Sequence, residues 1–109
     1  MRRAARIDGN HGEIVAAFRR CGCHVIRLEQ GHGVPDILVA AKGRHRCAPV
    51  TWLCEIKDGS KPPSARSLTP QQQEFHSTWP GLLYVCERVE DVPGIIKAAL
   101  MDCPMGYEA

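Results

Sequence analysis

The sequence predicts an α/β fold, in which a mixed four-stranded sheet is flanked by helices in the order α-β-β-β-α-β-α. Apolar residues recur at helical spacing near the N-terminus, four short segments have the apolar pattern of strands, and Thr69-Pro70 begins a helix between the third strand and the fourth. The chain has 109 residues, 44% hydrophobic and 24% charged, which is typical of one globular domain. We therefore expect a single domain over residues 1–109, with about nine residues loose at the N-terminus and about eight at the C-terminus.

The first half of the chain predicts one helix and three strands. Asn10 and Glu13 form an N-x-x-E capping box, apolar residues follow at helical spacing, and Gly22 ends a helix over 11–21. Residues 42–49 form a basic, hairpin-like connection between the second strand and the third. The three strands are predicted over 23–28, 36–41 and 51–57.

The second half predicts a helix, a strand and a helix. Residues 58–67 contain two prolines, a glycine and small polar residues, so we expect no regular structure there. The sequence TPQQ at 69–72 has the N-cap, first-position proline and capping-box glutamine of a helix over 68–79. The segment 82–87 is apolar on both faces, which predicts an interior strand. A last helix is predicted over 90–100.

The N-terminus and the cysteines indicate a cytoplasmic protein. The first twelve residues are basic but have no apolar run after them, so we expect neither a secretory signal nor a membrane-spanning helix. The chain has six cysteines but no signal sequence, which does not favour a disulfide framework. It also lacks the C-x2-C pair that is typical of a zinc site. Cys23, Cys54 and Cys86 lie in apolar runs, where a free thiol packs as a small hydrophobic group.

The charges are distributed unevenly along the chain. Residues 1–69 hold twelve lysines and arginines against six acidic residues, whereas residues 70–109 hold two against six. This asymmetry suggests that the first part of the chain faces a polyanion, and a solvated basic surface is the equally weighted alternative. The residues that we expect to contact nucleic acid are Arg44, Arg46, Lys61 and Arg66.

Asp36, Glu55 and Lys57 are ionisable residues in segments that otherwise have the pattern of buried strands. Side chains alternate along a strand, so Glu55 and Lys57 share one face, about 6 to 7 Å apart, and Trp52, Cys54 and Ile56 share the other. Two close buried carboxylates repel each other, and a divalent cation would offset that repulsion.

Mg²⁺ or Mn²⁺ would suit such a site, since both bind oxygen ligands. Asp36 and Glu55 would be the carboxylate ligands, and the backbone carbonyl of Ile56 would add a third oxygen. Lys57 would hold or help to deprotonate an attacking water, which indicates phosphodiester hydrolysis. The alternative is an ordinary cross-strand ion pair between Asp36 and Lys57, with Glu55 solvated.

Pro35-Asp36 followed by Glu55-Ile56-Lys57 matches the PD-(D/E)xK signature. The surrounding "GVPDILVA", "WLCEIK" and "LTPQQQEFH" resemble the small VRR-NUC branch of that nuclease superfamily, which is found alone in many phages. The resemblance extends from about residue 10 to about residue 100 and implies a restriction-endonuclease-like core. The three pieces in this order are much more specific than any one of them.

The resemblance implies a role for each matching residue. Asp36 and Glu55 would bind the metal, and Lys57 would be the catalytic lysine. Glu13 would supply or support a further metal ligand, and Gln72 would be a catalytic glutamine at a helix start. For Glu13 and Gln72 the alternative is a role as helix-capping residues only.

The implied function is that of a Mg²⁺- or Mn²⁺-dependent endonuclease acting on DNA, with junctions or flaps as expected substrates in DNA repair or recombination. Its implied location is the cytoplasm of a bacterial or phage-infected cell, without a membrane partner. A homodimer is a further hypothesis, since two active sites would cut two strands symmetrically.

Two other classes of function stay open. One is a non-catalytic nucleic-acid-binding module on the same fold. The other is a small protein-interaction domain with an incidental E-x-K, which predicts neither metal binding nor salt-dependent DNA affinity. Among the remaining residues, Trp52 and Trp79 fit core packing better than base stacking. The five histidines are scattered, and only His32 is close in sequence to the proposed site.

Overall fold

The computed structural model describes residues 9–28, 31–43 and 48–102, and the expected loose ends fall outside these ranges over 1–8 and 103–109. The described residues form an α/β domain with a four-stranded mixed sheet flanked by helices, as predicted. The elements are α1 (His11–Arg20), β1 (His24–Arg27), β2 (Ile37–Ala41), β3 (Val50–Ile56), α2 (Pro63–Arg66), α3 (Pro70–Thr78), β4 (Leu83–Cys86), a 3-10 turn (Val89–Asp91) and α4 (Val92–Met101). No helix in the described ranges is long and apolar enough to cross a bilayer.

The strands lie side by side in the order β1-β2-β3-β4. Neighbouring strands are antiparallel from β1 to β3, and β4 is parallel to β3. A parallel pair needs a long crossover connection, and the segment holding α2 and α3 provides it. The crossover matters for the site because it places α3 close to the residues of β3.

One face of β3 points into the hydrophobic core, as its alternation predicts. Trp52 is 1% exposed, and its ring packs against Phe18 of α1 and Tyr84 of β4, at centroid distances of 6.2 and 6.4 Å. Cys54 lies in the same layer. The pKa of its thiol is raised, mainly by a hydrogen bond with the thiol of Cys86 and to a smaller extent by burial. A protonated thiol is the small hydrophobic group expected from the sequence.

The capping box predicted at Asn10 is wrong, although α1 begins where expected. The Asn10 side chain makes no cap hydrogen bond to the helix. Its Nδ2 instead donates to the carbonyl oxygens of Lys57 (3.1 Å) and Glu87 (2.9 Å). These tertiary acceptors orient the amide away from the helix, so Asn10 ties the start of α1 to the ends of β3 and β4.

The prediction of an interior position for the segment 82–87 is also wrong. Among the described strands β4 is at one edge of the sheet, and Val85 is 40% exposed. Tyr84 and Cys86 point into the core, while Leu83 and Val85 point to the other face of the sheet. The apolar residues on both faces reflect the layers above and below the sheet and not strands on both sides.

Two smaller expectations are corrected as well. The segment 58–67 contains one helical turn, α2, because proline is compatible with the first position of a helix.

Trp52 is in the core, but Trp79 is 41% exposed. The Trp79 ring stacks on Phe75 with centroids 5.6 Å apart, and its Nε1 donates to the carbonyl oxygen of Leu82. These contacts hold the ring at the surface of α3.

Candidate active site

Glu55 and Lys57 lie on the face of β3 that is turned away from the core, as the alternation predicts. Both are buried, with Glu55 2% and Lys57 9% exposed. Helix α3 covers them, and its Gln72 contacts both side chains. The alternative in which Glu55 is solvated is therefore wrong.

Asp36 immediately precedes β2 and is 6% exposed. Its backbone N–H donates to the carbonyl oxygen of Cys54 (3.1 Å), and its Oδ2 accepts from the N–H of Ile56 (2.7 Å). These two bonds place the Asp36 carboxylate beside the Glu55–Ile56 segment of β3. The two carboxylates predicted to act together are thus on adjacent chain segments.

The Ile56 carbonyl, predicted as a third metal ligand, lies on the same edge of β3 as Asp36. In a strand, the N–H and C=O of one residue point to the same neighbouring strand. The Ile56 N–H is directed at Asp36, so the Ile56 carbonyl is directed to that side as well.

Gln72 connects the site to the start of α3. Its Oε1 accepts from Lys57 Nζ (2.8 Å) and from the Thr69 N–H (2.9 Å), and its Nε2 donates to Glu55 Oε2 (3.1 Å). The Thr69 hydroxyl accepts from the Gln72 N–H, which completes the predicted capping box. The capping role and the site role of Gln72 are therefore compatible, because one amide group performs both.

Replacing Thr69 with valine should lower the free energy of unfolding by about 1 kcal/mol, because valine cannot accept from the Gln72 N–H. Urea denaturation monitored by circular dichroism measures this change. Thr69→Ser keeps the hydroxyl and is the matched control, expected within about 0.5 kcal/mol of the parent. Equal losses in both variants would show that the hydroxyl does not stabilise α3.

His76 is a site residue that the sequence interpretation missed. It lies one turn after Gln72, and its Nε2 is 3.7 Å from Glu55 Oε1. Burial, and secondarily the charge of Lys57, lowers the pKa of His76 below its usual value. The sequence contains a signal for this position, because residues four apart on the predicted helix share one face.

Glu13, predicted as a further metal ligand, does not lie beside Glu55 and Lys57. It is exposed on α1 and lines a cleft together with Asn10, Asp58 and Glu87. Among the described residues, no hydrogen bond or ion pair joins Glu13 to Gln72 or to the side chains that Gln72 contacts. Its assignment as a metal ligand therefore stays a prediction without geometric support.

The expected nucleic-acid contacts are divided between described and undescribed residues. Arg44 and Arg46 lie outside the described ranges. Lys61 is exposed, in the segment before α2. The Arg66 guanidinium is engaged within the protein, since it pairs with Glu87 (3.2 Å) and donates to the carbonyl oxygen of Lys61 (2.7 Å). Arg66 would have to exchange this pair for a phosphate.

The donor set around Asp36 suits a hard cation. It consists of two buried carboxylates and a backbone carbonyl, and Mg²⁺ or Mn²⁺ takes such oxygens with water in its remaining positions. Within the described ranges, no three His, Cys, Asp or Glu residues form a group that could hold a metal ion. A metal here would therefore depend on few protein ligands and on water or phosphate oxygens.

Searches with this chain against family models, characterised proteins and solved structures found no significant match.

Proposed function

We propose that this chain is a divalent-metal-dependent nuclease, with a restriction-endonuclease-like core, that hydrolyses phosphodiester bonds in DNA. The supporting observation is the burial of Asp36, Glu55 and Lys57 around the end of β3, with one glutamine bridging two of them. Buried ionisable groups are often replaceable by apolar residues at no loss of stability. Their presence together therefore favours a chemical role.

Each side chain has a defined role in the proposed reaction. A bound Mg²⁺ or Mn²⁺ would be held by Asp36 and Glu55 and would supply Lewis-acid polarisation of the phosphate. Lys57 orients the attacking water and neutralises the charge that develops on the phosphoryl oxygens. Gln72 fixes the Lys57 ammonium through its Oε1 and the Glu55 carboxylate through its Nε2, so that both groups are in place before substrate binds.

DNA is the proposed substrate because of the chain's charge distribution. The excess of basic residues lies in residues 1–69, the part that also contains Asp36, Glu55 and Lys57. The resemblance to VRR-NUC nucleases adds a branched or otherwise structured DNA as the proposed form of the substrate. The proposal includes activity in the cytoplasm, where the free thiols of Cys54 and Cys86 would stay reduced.

The test is cleavage of a labelled panel of single strand, duplex, flap, splayed arm and four-way junction, with Mg²⁺ or Mn²⁺. We expect the parent protein to cut at least one substrate and Asp36→Ala and Lys57→Ala to lose at least about a hundredfold in rate. Lys97→Ala is the matched control, since Lys97 is exposed on α4. No cutting with equal DNA binding in all variants would leave a binding module, and no salt-dependent DNA binding would indicate a protein-interaction domain.

We further propose a homodimer on DNA, in which two copies place two sites on the two strands. Light scattering of the protein mixed with its preferred substrate should give a protein-to-DNA ratio of two. A ratio of one at saturation would contradict the dimer without affecting the proposed chemistry.

A further inference from the structure

His76 presents a buried nitrogen to the proposed site. Its Nε2 has no hydrogen-bond partner among the described residues, and it is directed at Glu55 Oε1. Buried polar atoms are nearly always satisfied, so one at a site needs a physical reason. Because Gln72 and His76 are four residues apart, both side chains leave the same face of α3 toward β3.

The two oxygens of Glu55 are contacted in different ways by these helix residues. Gln72 Nε2 is 3.1 Å from Oε2, which is a hydrogen bond, whereas His76 Nε2 is 3.7 Å from Oε1, which is too long for one. Two ligand atoms each about 2.1 Å from one metal ion are about 3.0 Å apart at a right angle and about 4.2 Å apart when opposite. The 3.7 Å separation is closest to the roughly 3.4 Å expected for two ligands in a tetrahedral arrangement, so a shift of a few tenths of an ångström would let both atoms bind one ion.

We propose that His76 Nε2 and Glu55 Oε1 bind the same divalent ion, and that the site therefore selects a transition metal over Mg²⁺. This inference rests on the proposed function, whose metal it specifies. Imidazole is a good ligand for first-row transition metals, while Mg²⁺ strongly favours oxygen. His76 thereby pairs a nitrogen with the oxygen of Glu55, and water or phosphate oxygens would fill most of the remaining positions.

The test measures metal binding directly. Calorimetric titrations with Co²⁺ and with Mg²⁺ are made on the parent protein, His76→Gln, Glu55→Gln and His24→Gln, and the visible absorption of Co²⁺ is recorded in each. We expect His76→Gln to weaken Co²⁺ binding at least about tenfold, with a changed Co²⁺ spectrum, and to change Mg²⁺ binding less than about threefold. His24→Gln is the control, because His24 is exposed on β1.

Two results would overturn the inference in distinguishable ways. Unchanged Co²⁺ affinity and spectrum in His76→Gln, with binding lost in Glu55→Gln, would remove His76 from the ligand set and leave the proposed metal site standing. No binding of either ion to the parent protein would overturn both.

A second variant separates ligation from folding. In His76→Ala, added imidazole should restore the parental Co²⁺ spectrum, because the free ring can occupy the vacated space. Failure of imidazole to alter Co²⁺ binding in a folded His76→Ala protein would also overturn the inference.

Discussion

Replacing Glu55 with glutamine should lower DNA cleavage by about 10³-fold while leaving the free energy of unfolding in EDTA unchanged or raised by about 1 to 2 kcal/mol. The amide has nearly the shape of the carboxylate, and its oxygen can still accept from Gln72 Nε2. It carries no charge, so the cost of burying a group that is 2% exposed falls. A residue kept for chemistry is expected to separate activity from stability in this way.

The measurements are single-turnover cleavage of the preferred substrate and urea denaturation in EDTA, each repeated with Mn²⁺. Mn²⁺ should raise the unfolding midpoint of the parent protein but not that of Glu55→Gln, because only a folded site binds the ion. Glu74→Gln, on the exposed side of α3, is the matched control and should behave as the parent does. A Glu55→Gln protein that is less stable in EDTA and still cuts DNA would show that Glu55 has a structural role.

Gly33→Ala should lower the free energy of unfolding by about 3 kcal/mol or more, since strain and a steric clash act at the same position. Gly33 has φ 79°, in the left-handed region, and follows His32, which has φ 55°. A Cβ on Gly33 would clash with the carbonyl oxygen of Gln71 and would lie 2.9 Å from the backbone N of Gln72. These are backbone atoms of the first turn of α3, so the helix itself would have to move.

Gly22→Ala isolates the strain from the clash. Gly22 has φ 89°, and a Cβ there would meet no heavy atom of the described residues within 4 Å. In this variant the free energy of unfolding should fall by about 1 to 2 kcal/mol, because only the backbone strain of the left-handed conformation acts. Guanidinium denaturation of both variants measures the difference. Equal losses would mean that the loop before Asp36 can move away from α3 at little cost.

A shift of α3 should also affect the site, because the helix contributes Gln72 and His76. We therefore expect Gly33→Ala to lower cleavage even where the protein remains folded, whereas Gly22→Ala should not. The close approach of Gly33 thus couples the segment that precedes Asp36 to the helix that contacts Glu55 and Lys57.

The sequence alone was sufficient for features that depend on local periodicity and capping chemistry. The order of the predicted elements, the common face of Glu55 and Lys57, and the capping box of Thr69 and Gln72 follow from strand alternation and helix-start preferences. The proximity of Asp36 to β3 followed from the expectation that the strands carrying Asp36 and Glu55 are neighbours in the sheet.

Only the tertiary structure decided what depends on distant neighbours. Asn10 matches a capping box, yet its amide donates to the carbonyls of Lys57 and Glu87, just after β3 and β4, which are near it only in the folded chain. In the sequence, His76 is one of five scattered histidines. Its place beside Glu55 depends on the crossover, which packs α3 over β3. Local patterns determine which face a side chain occupies, whereas its partner on that face is determined by the packing of segments that are far apart in the chain.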